Sequence, residues 1–395
     1  MAKLTVEDVS DLAGTRVFVR VDYNVPVERG TITDDTRIRA SLPTLRHLIG
    51  AGARVVLASH LGRPKKGLAP EFSLAPVASR LAELLERRVE MAPDCVGPEV
   101  QRLASALPDG GVLLLENVRF HKEEEANDPG FAARLIQDTG ATVFVNDAFG
   151  SAHRAHASTE GVSRHVKTSA AGLLMEKELR YLGMALEAPE RPFVAVLGGA
   201  KVSDKIQVIK SLLPRVDALL VGGGMAYTFF RAQGLTTGKS LVEEDKVGLA
   251  KDLLARAGGK IRLPVDHVVA AAFKEDAESR TVPVSEMPEG WMGLDVGPLT
   301  STAFAGEVGR ARIVLWNGPM GVFEMAPFAK GTLAMARAMA DSQGTTIVGG
   351  GDSVAAVTRM GLADRIDHVS TGGGASLEFL AGDPLPGVAC LQDRP

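Results

Sequence analysis

Eight short apolar runs recur along this chain, at residues 16–21, 54–59, 112–115 and 142–145 in the first half and 193–197, 218–221, 312–316 and 345–348 in the second. Each is followed by a polar or glycine-rich loop and then by a helical pattern. The runs do not alternate polar with apolar residues. Strands buried on both faces read this way, as in parallel sheets covered by helices. The pattern therefore predicts an α/β fold: two Rossmann-like three-layer domains with mainly parallel sheets. Ligands in such folds lie at the carboxyl ends of the strands.

A chain of 395 residues is too long for one ordinary domain. The divide is expected at residues 172–188, where GLLMEKELRYLGMALE reads as a connecting helix and hinge ahead of Pro189 and Pro192. That leaves an N-terminal domain over 1–171 and a C-terminal one from 189. Hydrophobic content of 45% and charged content of 23% let each half bury a core. The net charge of -4 argues against nonspecific nucleic-acid binding, which needs a basic footprint. Cys95 and Cys390 match no metal or redox spacing and read as free thiols. The start MAKLTVEDVSDL has no apolar core of a secretory signal, and no run approaches the roughly 18 apolar residues of a membrane span. The expectation is a cytoplasmic protein without membrane or nucleic-acid partners.

The two halves differ in the loops at their strand ends. In the first half these carry Asp22 and Asn24, then His60 and Arg63, then Arg119, then His153, Arg154 and His156, with Arg37 at a helix start. One arginine means little, but several at the same end of one sheet converge on one crevice. Guanidinium forks match phosphate and carboxylate oxygens, so the basket points to a small polyanion. His153 and His156 are three apart, but the neighbouring arginines disfavour a metal cation there.

The second half carries LGGAKVSDKI, VGGGMAYTFF, VGGGDSVAAV and STGGGASLEF. Glycines let backbone amides approach phosphate oxygens, and a helix N-terminus adds partial positive charge. Ser203 is expected to cap a helix that Asp204 begins, which places Lys201 and Lys205 where only an anion makes cations favourable. Asp352, after the glycines at 349–351, is a helix cap or a carboxylate for nucleotide-bound magnesium. Glu324 is a ribose ligand or a surface acid. Residues 234–240 (GLTTGKS) are one residue short of a Walker A loop and come after a helical stretch rather than a strand. No glycine cluster completes the dinucleotide pattern.

With RVDYNVP, SHLGRP, ENVRFH, FGSAHRAH, LGGAKVSDKI, WMGLDVGP, WNGPMGVFE, VGGGDS and STGGGAS in order, nearly the whole chain resembles the phosphoglycerate kinase family, in its compact bacterial form. Tyr23 stands where phenylalanine is more usual, and His267 and Thr237 depart from the pattern at positions expected to lie away from the site. The resemblance implies reversible phosphoryl transfer between 1,3-bisphosphoglycerate and ADP, giving 3-phosphoglycerate and ATP, with Mg2+ carried as Mg-ATP or Mg-ADP. It implies that Asp22, Asn24, Arg37, His60, Arg63, Arg119 and Arg154 hold the phosphoglycerate. Lys201, Gly293, Asn317, Glu324, Gly350, Gly351, Asp352 and Ser353 then serve the nucleotide, Asp352 serves the magnesium, and Arg37, Lys201 and Lys205 stabilise the moving phosphoryl group. It further implies a monomer whose C-terminal domain ends near 377 and whose tail, 378–395, packs back on the first domain. The acceptor is a carboxylate, already ionised at pH 7, so no general base is required. Alignment, charge stabilisation and domain closure must then supply the catalysis. The competing readings are an NAD-dependent dehydrogenase and a noncatalytic two-lobed protein that closes on a phosphorylated acid.

Overall fold

The computed structural model describes residues 2–65, 67–187 and 189–394. The chain divides into two compact units, residues 1–179 with 384–395, and residues 180–383.

The first unit is built on six parallel strands: Arg16–Arg20 (β1), Arg54–Ala58 (β2), Val89–Met91 (β3), Val112–Leu114 (β4), Val143–Asn146 (β5) and Thr168–Ala171 (β6), in the order β3-β4-β2-β1-β5-β6. The four long apolar runs of this half all became strands, within a residue or two at the ends. They are buried on both faces: Val17, Phe18 and Val19 of β1 and Val55, Val56 and Leu57 of β2 are wholly inaccessible. Each such side chain contributes roughly 1.5–3 kcal/mol relative to exposure. The core joins these strands to the helix Thr36–Gly50 through Ile38, Leu45 and Leu48. Local signals end the helices as expected. Asp128 accepts the Phe131 amide at 2.8 Å, Pro129 opens the helix Pro129–Thr139, and Gly140 closes it at φ 62°.

The chain starts at the centre of this sheet, passes to β2, goes out to β3 at the edge, returns to β4 between them, then crosses to β5 on the other side of β1. The direction of winding therefore reverses between β1 and β5. Register keeps the strand ends level, since Arg20 pairs with both Ala58 and Asn146. Residues 384–394 return to this unit. The Leu4 amide donates to the Gln392 carbonyl, the Gln392 amide to Ser169, and the Gly387 amide to Ala152.

The second unit is also built on six parallel strands, in a different order. Its parallel strands are Phe193–Leu197 (β7), Ala218–Val221 (β8), Ile261–Arg262 (β9), Ile313–Asn317 (β13), Thr345–Gly349 (β14) and His368–Val369 (β15), in the order β9-β8-β7-β13-β14-β15. Winding reverses between β7 and β13. Beside this sheet lies an antiparallel one of Asp266–Ala270 (β10), Ser279–Pro283 (β11) and Met292–Val296 (β12), which the apolar runs did not announce. Trp316, fully buried, anchors the main core with Val194, Val196, Phe304 and Met339. The helix read at 172–187 is present as Leu173–Leu186, and the division between the units falls inside it.

Candidate active site

At the carboxyl ends of β1, β2 and β4 the polar side chains form one connected set. Arg37, in the first turn of its helix, donates from Nη1 to Asp22 Oδ1 at 3.1 Å and to the Asn24 carbonyl at 3.2 Å. Asn24 Oδ1 accepts the Gly62 amide at 2.8 Å, which ties the first loop to the second. Arg119 Nη1 donates to the Gly62 carbonyl at 2.8 Å and ties in the third. Its Nε lies 3.1 Å from Glu125 Oε1, at ion-pair distance but without hydrogen-bond alignment. Arg63 is exposed at the rim. Arg154 is half-buried and donates from Nε to His153 Nε2 at 3.1 Å. So Asp22, Asn24, Arg37 and Arg119 are brought together directly, while no hydrogen bond joins Arg63 or Arg154 to them.

Charge dominates this set. Burial pushes the Asp22 carboxyl up, but the guanidinium groups of Arg37 and Arg20 oppose it, and the acid is held below its ordinary range. His60, 6% exposed, is driven well below the usual histidine value, chiefly by burial. His156 is buried too, mainly for that reason lowered to about 4, with its Nδ1 4.0 Å from Glu124 Oε1. His153 and His156 sit on turns after Phe149–Ser151 rather than on a helix face. Sequence reasoning missed three residues underneath. Arg20, Glu124 and Ser158 are all buried and hydrogen-bonded behind His60. Arg20 was hidden as one residue of an apolar strand, and Glu124 as one of three consecutive glutamates.

The second unit holds a cavity of about 700 Å³ at the ends of its strands. Gly199, Gly223, Gly293, Glu324 and Asp352 are among the residues that line it. The glycines are there for space. A Cβ on Gly223, at φ +68°, would stand 2.5 Å from the Gly199 carbonyl oxygen, and one on Gly293 would stand 1.4 Å from Tyr227 Oη. Lys201 and Lys205 occupy the loop after β7, at the reversal of winding. Lys201 is exposed. Lys205 is buried, and its Nζ donates to Asn317 Oδ1 at the end of β13. Burial lowers its pKa to about 8, against the opposing pull of Asp204 and Asp352. Asn317 Nδ2 is buried with no hydrogen-bond partner among the described residues, a donor that an incoming acceptor would satisfy. Gly350, at φ 85°, precedes the helix Gly351–Arg359, with Asp352 exposed in its first turn. Ser353, fully buried, points the other way and accepts the Gly318 amide at 2.6 Å.

Two expectations need correction. Ser203 does not cap a helix. Ser203–Lys205 is a 3-10 turn, the α-helix begins at Ile206, and the Ser203 hydroxyl is taken up by Glu243 Oε1 at 2.6 Å. The Ser203 amide donates to the same carboxylate, to Oε2 at 2.9 Å, so Glu243 holds this turn from outside it. His267 is not remote from the site. It lines the cavity, with Nδ1 2.9 Å from Tyr227 Oη, because β10 belongs to the antiparallel sheet that runs alongside it. The GKS of residues 234–240 is likewise at the cavity, though not as a Walker loop. Lys239 and Ser240 line it from an irregular segment, where the Lys239 amide donates to the Trp291 carbonyl at 2.7 Å and Ser240 Oγ accepts the Gly293 amide at 2.9 Å.

A cationic side-chain basket on one doubly wound sheet, and a glycine-lined cavity with a buried lysine on another, define a phosphotransferase. The comparisons agree. The family model described as phosphoglycerate kinase matches residues 6–383. The chain is 60% identical to "Phosphoglycerate kinase" of Moorella thermoacetica over 397 residues, covering 100% of both. It is 60% identical to "Phosphoglycerate kinase, cytosolic" of Triticum aestivum over 391 residues, covering 97% of both. Among solved structures, the phosphoglycerate kinase of Coxiella burnetii matches with a TM-score of 0.90 at 43% identity, over 98% of each chain. That of Pyrococcus horikoshii OT3 matches at 0.86 and 35%, again over 98% of each. The chain belongs to the phosphoglycerate kinase family.

No helix among the described residues is long and apolar enough to cross a membrane. Neither cysteine is bridged; Cys95 is buried and Cys390 half-buried.

Proposed function

We propose that the first unit binds 3-phosphoglycerate through Asp22, Asn24, Arg37, His60, Arg63, Arg119 and Arg154, and that the second binds Mg-ATP through Lys201, Gly293, Asn317, Glu324 and Gly350–Ser353. The observation that carries this reading is the hydrogen-bonded set Asp22–Arg37–Asn24–Gly62–Arg119. It fixes guanidinium groups in place before any ligand arrives, and fixed cations are what recognition of a small polyanion requires.

The acid's carboxylate attacks the terminal phosphoryl group of the nucleotide, and the reverse reaction returns it to ADP. Being ionised, the carboxylate gives up no proton. Lys201, Lys205 and Arg37 then have one task, to stabilise charge on the phosphoryl group in transit. Lys205 suits it. Its tether to Asn317 fixes Nζ, and with a pKa of about 8 most of it is charged at neutral pH. Gly350 and Gly351 give close backbone approach to the nucleotide's phosphates. Ser353 acts through Gly318, whose amide it holds.

Asp352 is an exposed carboxylate on the cavity wall, at a helix start. That fits magnesium, which prefers one or two carboxylates together with phosphate oxygens and water. When bound, the ion neutralises charge on the phosphates.

The two grips belong to different compact units, so transfer requires them to meet and exclude water. The helix Leu173–Leu186, in which the division falls, is the proposed hinge. The protein is expected to act in the cytoplasm as a monomer. A coupled assay with Mg-ATP and 3-phosphoglycerate, following reduction of the 1,3-bisphosphoglycerate formed, tests the reading. Turnover that needs all three components supports it; no turnover, or turnover without magnesium, contradicts it.

A further inference from the structure

A buried cation stands directly behind the acid site. Arg20, the last residue of β1, is 1% exposed. An interior guanidinium is tolerated only when its donors are satisfied and its charge is balanced. Its Nε donates to Ser158 Oγ at 2.7 Å, Nη1 donates to the Val21 carbonyl, and Nη2 lies 3.2 Å from His60 Nδ1. Ser158 passes the charge onward: its hydroxyl donates to Glu124 Oε1 at 2.6 Å and its amide to Oε2 at 2.9 Å. Glu124 is wholly inaccessible. The result is a line of contacts, Glu124 to Ser158 to Arg20 to His60, that ends on a residue of the acid site.

Chemistry fixes the direction of the last bond. A guanidinium carries five donors and no acceptor. His60 Nδ1 must therefore accept, and a neutral His60 must carry its one ring proton on Nε2. Putting a second proton on Nδ1 would break the bond and set an imidazolium against a guanidinium. The groups acting on the ring are burial and the cations Arg20, Arg119 and Arg37 on one side and Asp22 on the other, with burial the largest, and together they keep the ring neutral. Nε2 makes no hydrogen bond with any described residue.

We propose that Arg20 is a positioning residue that holds His60 as the neutral Nε2–H tautomer, so that His60 presents a fixed donor to an oxygen of the phosphorylated acid, while Ser158 and Glu124 hold Arg20. This rests on the reading of His60 as a ligand-binding residue given above. His60 then serves as a hydrogen-bond donor, and the ligand's negative charge is met by the arginines. The opposite tautomer would turn a lone pair toward an anionic oxygen.

The test uses the full chain labelled with 15N-histidine, without ligand, with the His60 signals assigned through His60→Gln. Two-bond 15N–1H correlations are expected to show Nε2 protonated and Nδ1 unprotonated from about pH 5.5 to 8, below and above the ordinary histidine pKa. In Arg20→Met the His60 titration is expected to shift upward, with burial still opposing the charged ring, and an Nδ1–H population is expected to appear because Nδ1 loses its donor. KM for 3-phosphoglycerate should rise about tenfold, the effect of one good hydrogen bond, and become pH-dependent, while KM for Mg-ATP stays put. Arg20→Met leaves Glu124 without its counter-charge; should it fail to fold, Ser158→Ala removes one anchor of Arg20 and is expected to shift the titration the same way. An imidazolium or an Nδ1–H tautomer in the unmodified protein at pH 7 overturns the proposal. So does a His60 whose titration is unchanged in the variants. These signals need no turnover, so an enzyme inactive toward 3-phosphoglycerate would count against the proposed reaction and leave the His60 result to be judged alone.

Discussion

Both units are built on six parallel strands whose winding reverses beside the first strand, though in different strand orders, and on the proposed reading they bind by opposite means. In the first, side chains would do the gripping: arginines and a histidine stand at the strand ends, and a layer of buried charge lies behind the histidine. In the second, the backbone does more of the gripping, and the side chains near it are cleared away. Gly223 and Gly293 leave room that a single methyl would fill. The difference reflects the ligands. A small acid offers few atoms and much charge, so it needs long cationic arms. A nucleotide is large and carries a chain of phosphates, so amides at close range and one or two lysines suffice.

The comparison can be broken where the chemistry meets it. Lys201→Ala and Lys205→Ala should each lower kcat by about 10²–10³, the scale on which losing a transition-state donor acts, with less change in the dissociation constant of 3-phosphoglycerate; an unchanged kcat would end their assignment. Arg63→Ala, at an exposed rim, should weaken 3-phosphoglycerate by roughly tenfold or more and leave the nucleotide's dissociation constant alone. Equal losses for both ligands in calorimetry would show that the grips are not separate. Gly293→Ala is the mirror image. Its methyl collides with Tyr227, so nucleotide binding should fall about tenfold at a stability cost of about 1–3 kcal/mol, with acid binding intact. The smallest effect is in pH. Lys205 is active when protonated, and burial brings its pKa down to about 8. Hence kcat/KM for the nucleotide should be level below that pH, halve near it and decline above it. Lys205→Arg should move the decline to higher pH, and a profile that ignores this change removes Lys205 from that role.

Much of this was legible in the chain. The four central strands of each parallel sheet were written as apolar runs, because a strand covered on both faces has no polar side to show, while the edge strands β3, β6, β9 and β15 were not read. The residues that reach solvent at strand ends, such as Arg37, Arg63 and Asp352, were legible for the same reason: they break the pattern. The hidden part was of two kinds. The antiparallel sheet was missed because β11 is mostly exposed and its sequence, SRTVP, looks like a loop. Its absence from the reading put His267 far from the cavity it lines. Arg20, Ser158 and Glu124 were missed because burial of a polar residue depends on partners distant in sequence. Arg20 meets Ser158 across 138 positions, and nothing local announces it.

The path of the chain bears on its synthesis. The first unit is assembled from two separate stretches of the polypeptide, with Arg394 paired to Asp8 and the Gln392 carbonyl bonded to the Leu4 amide. The second unit lies uninterrupted between them. On the ribosome, residues 180–383 are made while the earlier unit still lacks residues 384–395. The usual N-terminal-first order of folding is thereby undercut: the second unit can finish first, and the first must wait for its last segment to emerge.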